Sequence, residues 1–354
     1  MSSSSSKKAA MPKVQKAKGR KAKFPTTLAP MLATLVDKPF DNEDWLYEVK
    51  WDGYRTVAHI NKQKVELKSR NNKSFNEKFY PIHEALKALK LDAVLDGEVV
   101  AATEKKSSDF GALQNWRTAK DGELLYYVFD ILWLDGYSLT DLSLLERRKI
   151  LTETIKENDC IRISQAFDTD GNSFFKAAEK MHLEGIIAKK KDSIYEPGIR
   201  SKDWLKIKTA KRHEVIIGGY TQNEGSVKKF SSLLVGVMKR NKLHYIGKIG
   251  TGFTDELQTK LLKQFKQFTR KTSPFSEEPD VNKPSRFRPH PPKAQTTWLK
   301  PQLVCEVSYT EMTSDGVMRH PSFEGMRTDK HANDVKEEKT NSVKKIVKKK
   351  SNND

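Results

Sequence analysis

Apolar residues fall in short β-like runs through the first two hundred positions, broken by a few stretches of helical spacing. Trp45 to Lys50 reads as a strand entering a turn. Tyr54 to Ile60 and Lys64 to Leu67 alternate around Asn61-Lys62-Gln63, which predicts a hairpin. Phe79, Ile82, Leu86 and Leu89 recur at helical spacing, so 75–90 is expected to be an amphipathic helix. Ala93-Val94-Leu95 and Val99-Val100 flank Asp96-Gly97-Glu98 as strand sequence. Phe110, Leu113 and Trp116 suggest a short helix, and Tyr126 to Leu134 is a strongly β-like run ending at Asp135-Gly136. Leu144 to Ile155 and residues 173–182 read as helices, Gly185 to Lys190 and Trp204 to Lys208 as strands.

The pattern shifts near Thr209-Ala210-Lys211-Arg212. Beyond it come strand-like runs at Val215 to Ile217, Leu233 to Met238, Leu243 to Ile246 and Val304 to Tyr309. One helix is expected over Asp255 to Phe268, with Leu257, Leu261, Phe265 and Phe268 on one face. Several short strands with a single helix in roughly 120 residues fit a small barrel of OB type. That class commonly binds nucleic acid. The Pro-rich stretch Pro284 to Pro292 reads as a loop, and no internal repeat is evident.

Charge sharpens this picture. The 354 residues carry 65 Lys+Arg against 46 Asp+Glu, a formal net charge of +19. Residues 1–23 hold eight Lys/Arg and no acid, and 331–354 hold seven Lys and four acids, which leaves +8 for the body. Both ends lack apolar residues to bury and are expected to be disordered basic tails. The excess points to a polyanionic partner, nucleic acid first. Cys160 and Cys305 are the two cysteines, which makes a disulfide framework improbable and suits a reducing cytosol. Without CxxC, HExxH or clustered Cys/His, no structural zinc is expected. No run of about 18 apolar residues occurs, so no transmembrane helix or membrane partner is expected.

The candidate chemistry centres on Lys50-Trp51-Asp52-Gly53-Tyr54-Arg55. A lysine amine attacks phosphorus only when deprotonated, so a lowered pKa through burial or neighbouring cations is expected. Gly53 is expected to let the backbone approach a nucleotide, and Arg55 to hold phosphate or ribose. Lys206 and Lys208 alternate with Leu205 and Ile207 and so share one strand face; taken alone, a K-x-K is ordinary on a half-exposed strand.

The pattern K-x-D-G-x-R resembles the first motif of the covalent nucleotidyltransferases: DNA ligases, RNA ligases and capping enzymes. Further segments follow in that superfamily's order: Ser69-Arg70, Asp96-Gly97-Glu98, Phe129, Glu184-Gly185-Ile186-Ile187-Ala188-Lys189, Trp204 to Lys208, and Arg319-His320-Pro321-Ser322-Phe323 through Arg327-Thr328-Asp329-Lys330. Their wording is similar to the ligase domain of bacterial DNA ligase D, over about 24–330.

The resemblance implies an α+β architecture. A nucleotidyltransferase (adenylation) domain of antiparallel sheets and helices would span 24–209, and an OB-fold β-barrel 210–330. It implies an ATP-dependent DNA ligase that seals 5′-phosphate/3′-hydroxyl breaks through a lysyl-AMP on Lys50, in repair or end joining. Catalytic roles fall to Lys50, Lys206, Lys208 and Arg327. ATP contacts fall to Glu48, Val49, Arg55, Arg70, Glu98, Phe129 (stacked on adenine), Lys189, Lys206 and Lys208. Glu98 and Glu184 would hold Mg²⁺ or Mn²⁺, and Asp52 is structural or metal-linked. In the family, motif VI, here with Arg327 and Lys330, swings over the site to orient the pyrophosphate and then away for DNA, which implies a hinge near 209–212. Lys206 and Lys208 are also expected to help keep Lys50 neutral.

Implied partners are nicked or broken duplex DNA, Ku and a separate repair polymerase. A monomer in the bacterial cytosol or nucleoid is expected. The same lysine chemistry leaves an RNA ligase or a capping-type nucleotidyltransferase open, and a non-catalytic nucleic-acid-binding protein is the alternative from another class.

Overall fold

The computed structural model describes residues 19–103, 108, 110–282, 293–313, 315–335 and 340–347. The chain divides into two compact units, 1–207 with 341–354, and 208–340.

Two sheets form the first unit. The larger has seven strands, in the order Arg20–Lys21, Tyr137–Ser138, Glu123–Leu134, Ala93–Ala102, Tyr54–Asn61, Lys64–Ser69, with Ile161–Ile163 beside Glu123–Leu134. The smaller runs Ala166–Phe167, Trp45–Val49, Gly185–Lys190, Arg200–Lys208, Leu32–Leu35. Pairing in the larger sheet is antiparallel as expected, except where Ile161–Ile163 meets Glu123–Leu134; in the smaller one Trp45–Val49 is antiparallel to both its neighbours and Arg200–Lys208 meets Leu32–Leu35 in parallel. The predicted hairpin joins Tyr54–Asn61 to Lys64–Ser69 through Lys62 and Gln63, both at positive φ (48° and 63°). Two consecutive left-handed residues give a two-residue turn whose twist matches its strands.

The helices lie where apolar spacing placed them, with ends set by capping chemistry. Tyr80–Ala88 begins at Tyr80 rather than at residue 75, with Pro81 in its first turn, where proline fits. Leu144–Thr154 begins with a capping box between Ser143 and Glu146, and Gly171–Lys180 is capped by Asp170. Ile82, Leu86, Leu113, Ile150 and Leu151 bury against the large sheet. Phe174, Phe175 and Ala178 pack with Trp45, Tyr47, Leu205 and Ile207 of the small one. A separate cluster takes Val57, Val94, Phe129 and Trp133 from the large sheet and Trp204 from the small one. This seam ties the sheets together, and the candidate site lies along it.

The second unit holds a sheet of six strands, in the order Lys242–Ile249, Ser232–Lys239, Lys211–Asn223, Ala294–Tyr309, Thr269–Arg270, with Ser322–Met326 also paired to Ala294–Tyr309, and a two-stranded one of Glu311–Met312 and Met318–Arg319. The helix Asp255–Phe265 is capped by Thr254 and buries Leu261 and Phe265. The OB-type barrel is an open one: an isolated bridge joins Thr251 to Ser322, but no ladder closes the sheet among the described residues. Lys211–Asn223 shifts register with both neighbours between Ile217 and Gly219. A Cβ on Gly218 would sit 2.4 Å from the Phe275 ring, so the bend needs glycine there.

Both tail expectations need correction. Residues 1–18 lie outside the described part, but Arg20–Lys21 pairs with Tyr137–Ser138 and Ala22 O accepts from Trp133 Nε1 at 3.0 Å. Order therefore begins before Phe24. At the other end, Ala332–Asp334 forms a 3₁₀ turn and Val335 is buried in the second unit's core. Asn341 then pairs in parallel with Val36, with Asn341 N 3.0 Å from Leu35 O and Asp37 N 3.0 Å from Asn341 O. Val343 N donates to Asp37 Oδ1 at 2.9 Å, and its side chain is buried among Trp45, Tyr47, Leu205 and Ile207. Three apolar residues (Val343, Ile346 and Val347) within a lysine-rich tail are enough to dock it.

Candidate active site

Lys50 leaves the end of the strand Trp45–Val49, with its N–H donating to Gly185 O at 3.0 Å. Trp51 clamps the turn by stacking on Tyr127 (centroids 3.7 Å apart) and donating Nε1–H to Ser164 Oγ at 3.2 Å. Gly53 follows for a reason unlike the expected one. A Cβ there would lie 2.1 Å from the Val99 carbonyl oxygen, so the neighbouring strand demands glycine.

The Lys50 ammonium is ion-paired directly with Glu184. Burial opposes its charge most strongly, but Glu184, then Glu98 and Asp52, outweigh it, and the Lys50 pKa is raised. The expectation that Lys206 and Lys208 keep Lys50 neutral is thus corrected: three carboxylates hold it charged. These same carboxylates make an acidic spot around one cation. Among the described residues no cluster of three or more His, Cys, Asp or Glu could hold a metal. Two carboxylates, Glu98 and Glu184, suit Mg²⁺ or Mn²⁺, which fill their remaining positions with phosphate and water oxygens.

Arg55 faces Glu98 across paired strands. Its Nε and Nη2 each lie 2.6 Å from a different oxygen of the fully buried Asp96, and its Cζ sits 4.5 Å from the Phe129 centroid. Tyr195 O–H donates to Asp96 Oδ2 at 2.5 Å and accepts from Met31 N at 2.9 Å. Arg55 is therefore preset by a carboxylate beside the glutamate of the third motif. Cross-strand register, which sequence does not display, is what brings them together.

Lys189 is buried with its Nζ 2.9 Å from Glu48 and 4.3 Å from the centroids of both Phe129 and Trp204. Burial lowers its pKa, and the Glu48 charge opposes this only in part. Arg148 joins them, donating to Glu48 Oε1 at 2.9 Å and to Ser164 O at 2.7 Å. Glu48 thus holds two cations through its side chain, and cations cover Phe129 where a base was expected. Arg148 gave no signal in the sequence beyond its helical position.

Val49 pairs with Ile186, and Arg70 sits half-buried just past the strand Lys64–Ser69. Lys206 and Lys208 are half-buried on one face of Arg200–Lys208 while Leu205 and Ile207 turn into the core, as the alternation predicts. Glu48, Lys50, Arg55, Glu98, Phe129, Glu184 and Lys189 are linked by contacts or strand pairing.

Lys208 begins the second unit, which also carries Arg327 and Lys330. Arg327 forks onto Asp329 (3.0 and 2.9 Å), and Lys330 Nζ lies 3.1 Å from Glu214. Rather than being displayed to solvent, motif VI is knitted into its own sheet.

Comparison with known proteins follows from this geometry. The model for the ATP dependent DNA ligase domain matches residues 30–208, just over half of the chain, and that for the ATP dependent DNA ligase C terminal region matches 226–330. The chain belongs to the ATP-dependent DNA ligase family. It is 36% identical over 334 residues to the multifunctional non-homologous end joining protein LigD of Pseudomonas aeruginosa, covering 92% of this chain and 38% of that protein. The protein of the same name from Mycolicibacterium smegmatis is 37% identical over 324 residues, covering 90% and 41%. The chain thus spans about two fifths of the length of these relatives. A solved mycobacterial DNA ligase D complexed with ATP and MES matches with a TM-score of 0.65 at 32% identity, covering 87% of this chain and 97% of that one. Ligase-family membership accounts for the motif order, and it agrees with a nucleotidyltransferase unit followed by an OB fold.

Proposed function

We propose that this chain seals 5′-phosphate/3′-hydroxyl breaks in duplex DNA with ATP, using Lys50 as the nucleophile. The observation that carries this is Lys50 at a strand end, gripped by Glu184 and within electrostatic reach of Glu98 and Asp52. Those carboxylates hold Lys50 charged, so the amine becomes a nucleophile once Glu184 is drawn away and the ammonium gives up a proton to solvent. A divalent cation, Mg²⁺ or Mn²⁺, would be held by Glu98 and Glu184 and would neutralise phosphate charge. Lys50 Nζ then bonds to the α-phosphorus as the bond to pyrophosphate breaks. AMP next passes to a DNA 5′-phosphate, and the 3′-hydroxyl displaces it. Every step moves charge among phosphate oxygens, so the chain's own contribution is positioning and electrostatics. Lys206, Lys208, Arg70 and Arg327 supply cations for that work. Placing adenine on Phe129 asks Arg55 or Lys189 to uncover the ring.

The end-joining setting rests on the names of the relatives, as do Ku and a separate polymerase as partners. A monomer acting in the cytosol or nucleoid fits the two-cysteine, basic composition. Incubation with α-labelled ATP, GTP or NAD⁺, followed by nicked DNA, tests the reading. Label from ATP that is discharged into sealed DNA supports it. Label from GTP alone would move the chain to capping chemistry, and label passed only to RNA would make it an RNA ligase.

A further inference from the structure

Glu214 lies on Lys211–Asn223 directly opposite Glu306 on Ala294–Tyr309. Like charges facing each other across paired strands are destabilising unless a cation is placed between them. Here the cation is Arg327. Its Nη1 lies 3.5 Å from Glu214 Oε1 and 3.6 Å from Glu306 Oε2, while its other edge forks onto Asp329. The same Glu214 oxygen takes Lys330 Nζ at 3.1 Å, in a pocket that leaves the Lys330 side chain only 7% exposed. Backbone bonds pin the segment, with Arg327 N donating to Val304 O at 2.7 Å and Lys330 N to Arg327 O at 3.2 Å. Lys208 is a third cation acting on Glu214, and together the three hold its carboxyl far below the usual range against the pull of burial.

One carboxylate therefore gathers Lys208, Arg327 and Lys330, the cations this unit would bring to phosphate. We propose that Glu214 is a positioning residue for the first chemical step, presetting Arg327 and Lys330 for the pyrophosphate of ATP. This rests on the ligase reading above. A merely structural role for Glu214 would weaken every step alike. A positioning role confines the defect to the step that uses these cations.

The experiment compares Glu214→Gln with wild type in the full chain. Single-turnover transfer of label from ATP to the protein reports step one. Sealing of a pre-adenylylated nick reports the last step, and urea denaturation reports folding. The glutamine variant should slow label transfer by about tenfold, the value of one charge-assisted hydrogen bond. Sealing of the pre-adenylylated nick should stay within about twofold under conditions where the variant remains folded, although its urea midpoint falls because the charge that Lys330, Arg327 and Lys208 stabilise is lost, and Glu214→Asp should recover part of the label transfer. Equal losses in both steps, or no loss in label transfer, would each overturn the proposal. A wild-type protein that takes no label from ATP would instead overturn the ligase reading on which it rests.

Discussion

Replacing Asp96 with asparagine is the sharpest test of how the site is held. Asp96 is fully buried and takes three donors: Arg55 Nε, Arg55 Nη2 and the Tyr195 hydroxyl. Oδ2 alone accepts two of these. Asparagine keeps the shape but offers one oxygen and one amide group. With the amide at Oδ2, it faces Nη2 and the hydroxyl; with the amide at Oδ1, it faces Nε. Either way a donor meets a donor, and the guanidinium loses its counter-charge. Removing one partner of a buried pair costs about 3–5 kcal/mol. Arg55 keeps 22% of its side chain exposed and lies against Phe129, so the expected loss is near the lower end, about 3 kcal/mol. Five of the six tryptophans lie in the first unit, so tryptophan fluorescence during urea denaturation reports mainly that unit. Adding Tyr195→Phe removes one of the clashing donors, so the double variant should lose less than the sum of the singles. A single-variant loss below about 1 kcal/mol, or strict additivity, would refute the assignment of Asp96 as the anchor of Arg55.

The remaining predictions concern pH, packing and the docked tail. His59 is buried beside Lys68, and both effects push its pKa down to about 4; the backbone of Val57 and Glu66 opposes this weakly, without hydrogen-bonding the ring. Its folded pKa lies below the unfolded value of about 6.5, so its contribution is complete above that pH and is lost as pH falls towards 4. That contribution is on the order of 3 kcal/mol, and denaturation curves across this window should flatten in His59→Phe. Gly53→Ala should fail to fold well or lose at least about 3 kcal/mol, because the new methyl meets backbone at Val99; a soluble variant with an unchanged urea midpoint would contradict this. Val343→Asp should lower the first unit's stability by about 2–3 kcal/mol, the value of one buried valine, whereas a freely disordered tail predicts no change.

Much of the fold was legible because its apolar periods are clean. The hairpin at Lys62-Gln63, the helices capped at Ser143 and Thr254, and the alternation around Lys206 all follow from local rules. The long strand Ala294–Tyr309 was read only from Val304, since Gln295, Lys300 and Pro301 dilute its first half. The docking of Val343 stayed hidden inside a lysine-rich tail, where composition argues for disorder. At the site, motif order supplied the residues but not their partners. Asp96 on Arg55, Arg148 and Lys189 on Glu48, and Glu214 on Lys330 arise from register and packing between elements far apart in sequence. The protonation of Lys50 is hidden from the sequence for the same reason. Nearby lysines were visible on one strand, whereas the carboxylates that govern it come from the segments after Lys50, at Glu98 and at Glu184.

The central claim is that Lys50 carries AMP on its way to DNA. Peptide mapping by mass spectrometry after incubation with ATP and Mg²⁺, on protein first stripped of bound AMP with pyrophosphate, addresses it directly. The account predicts a single AMP on the peptide containing Lys50, absent from Lys50→Ala, and released as one AMP per sealed nick when nicked DNA is added. AMP on another lysine such as Lys189, or none on any residue, would contradict it.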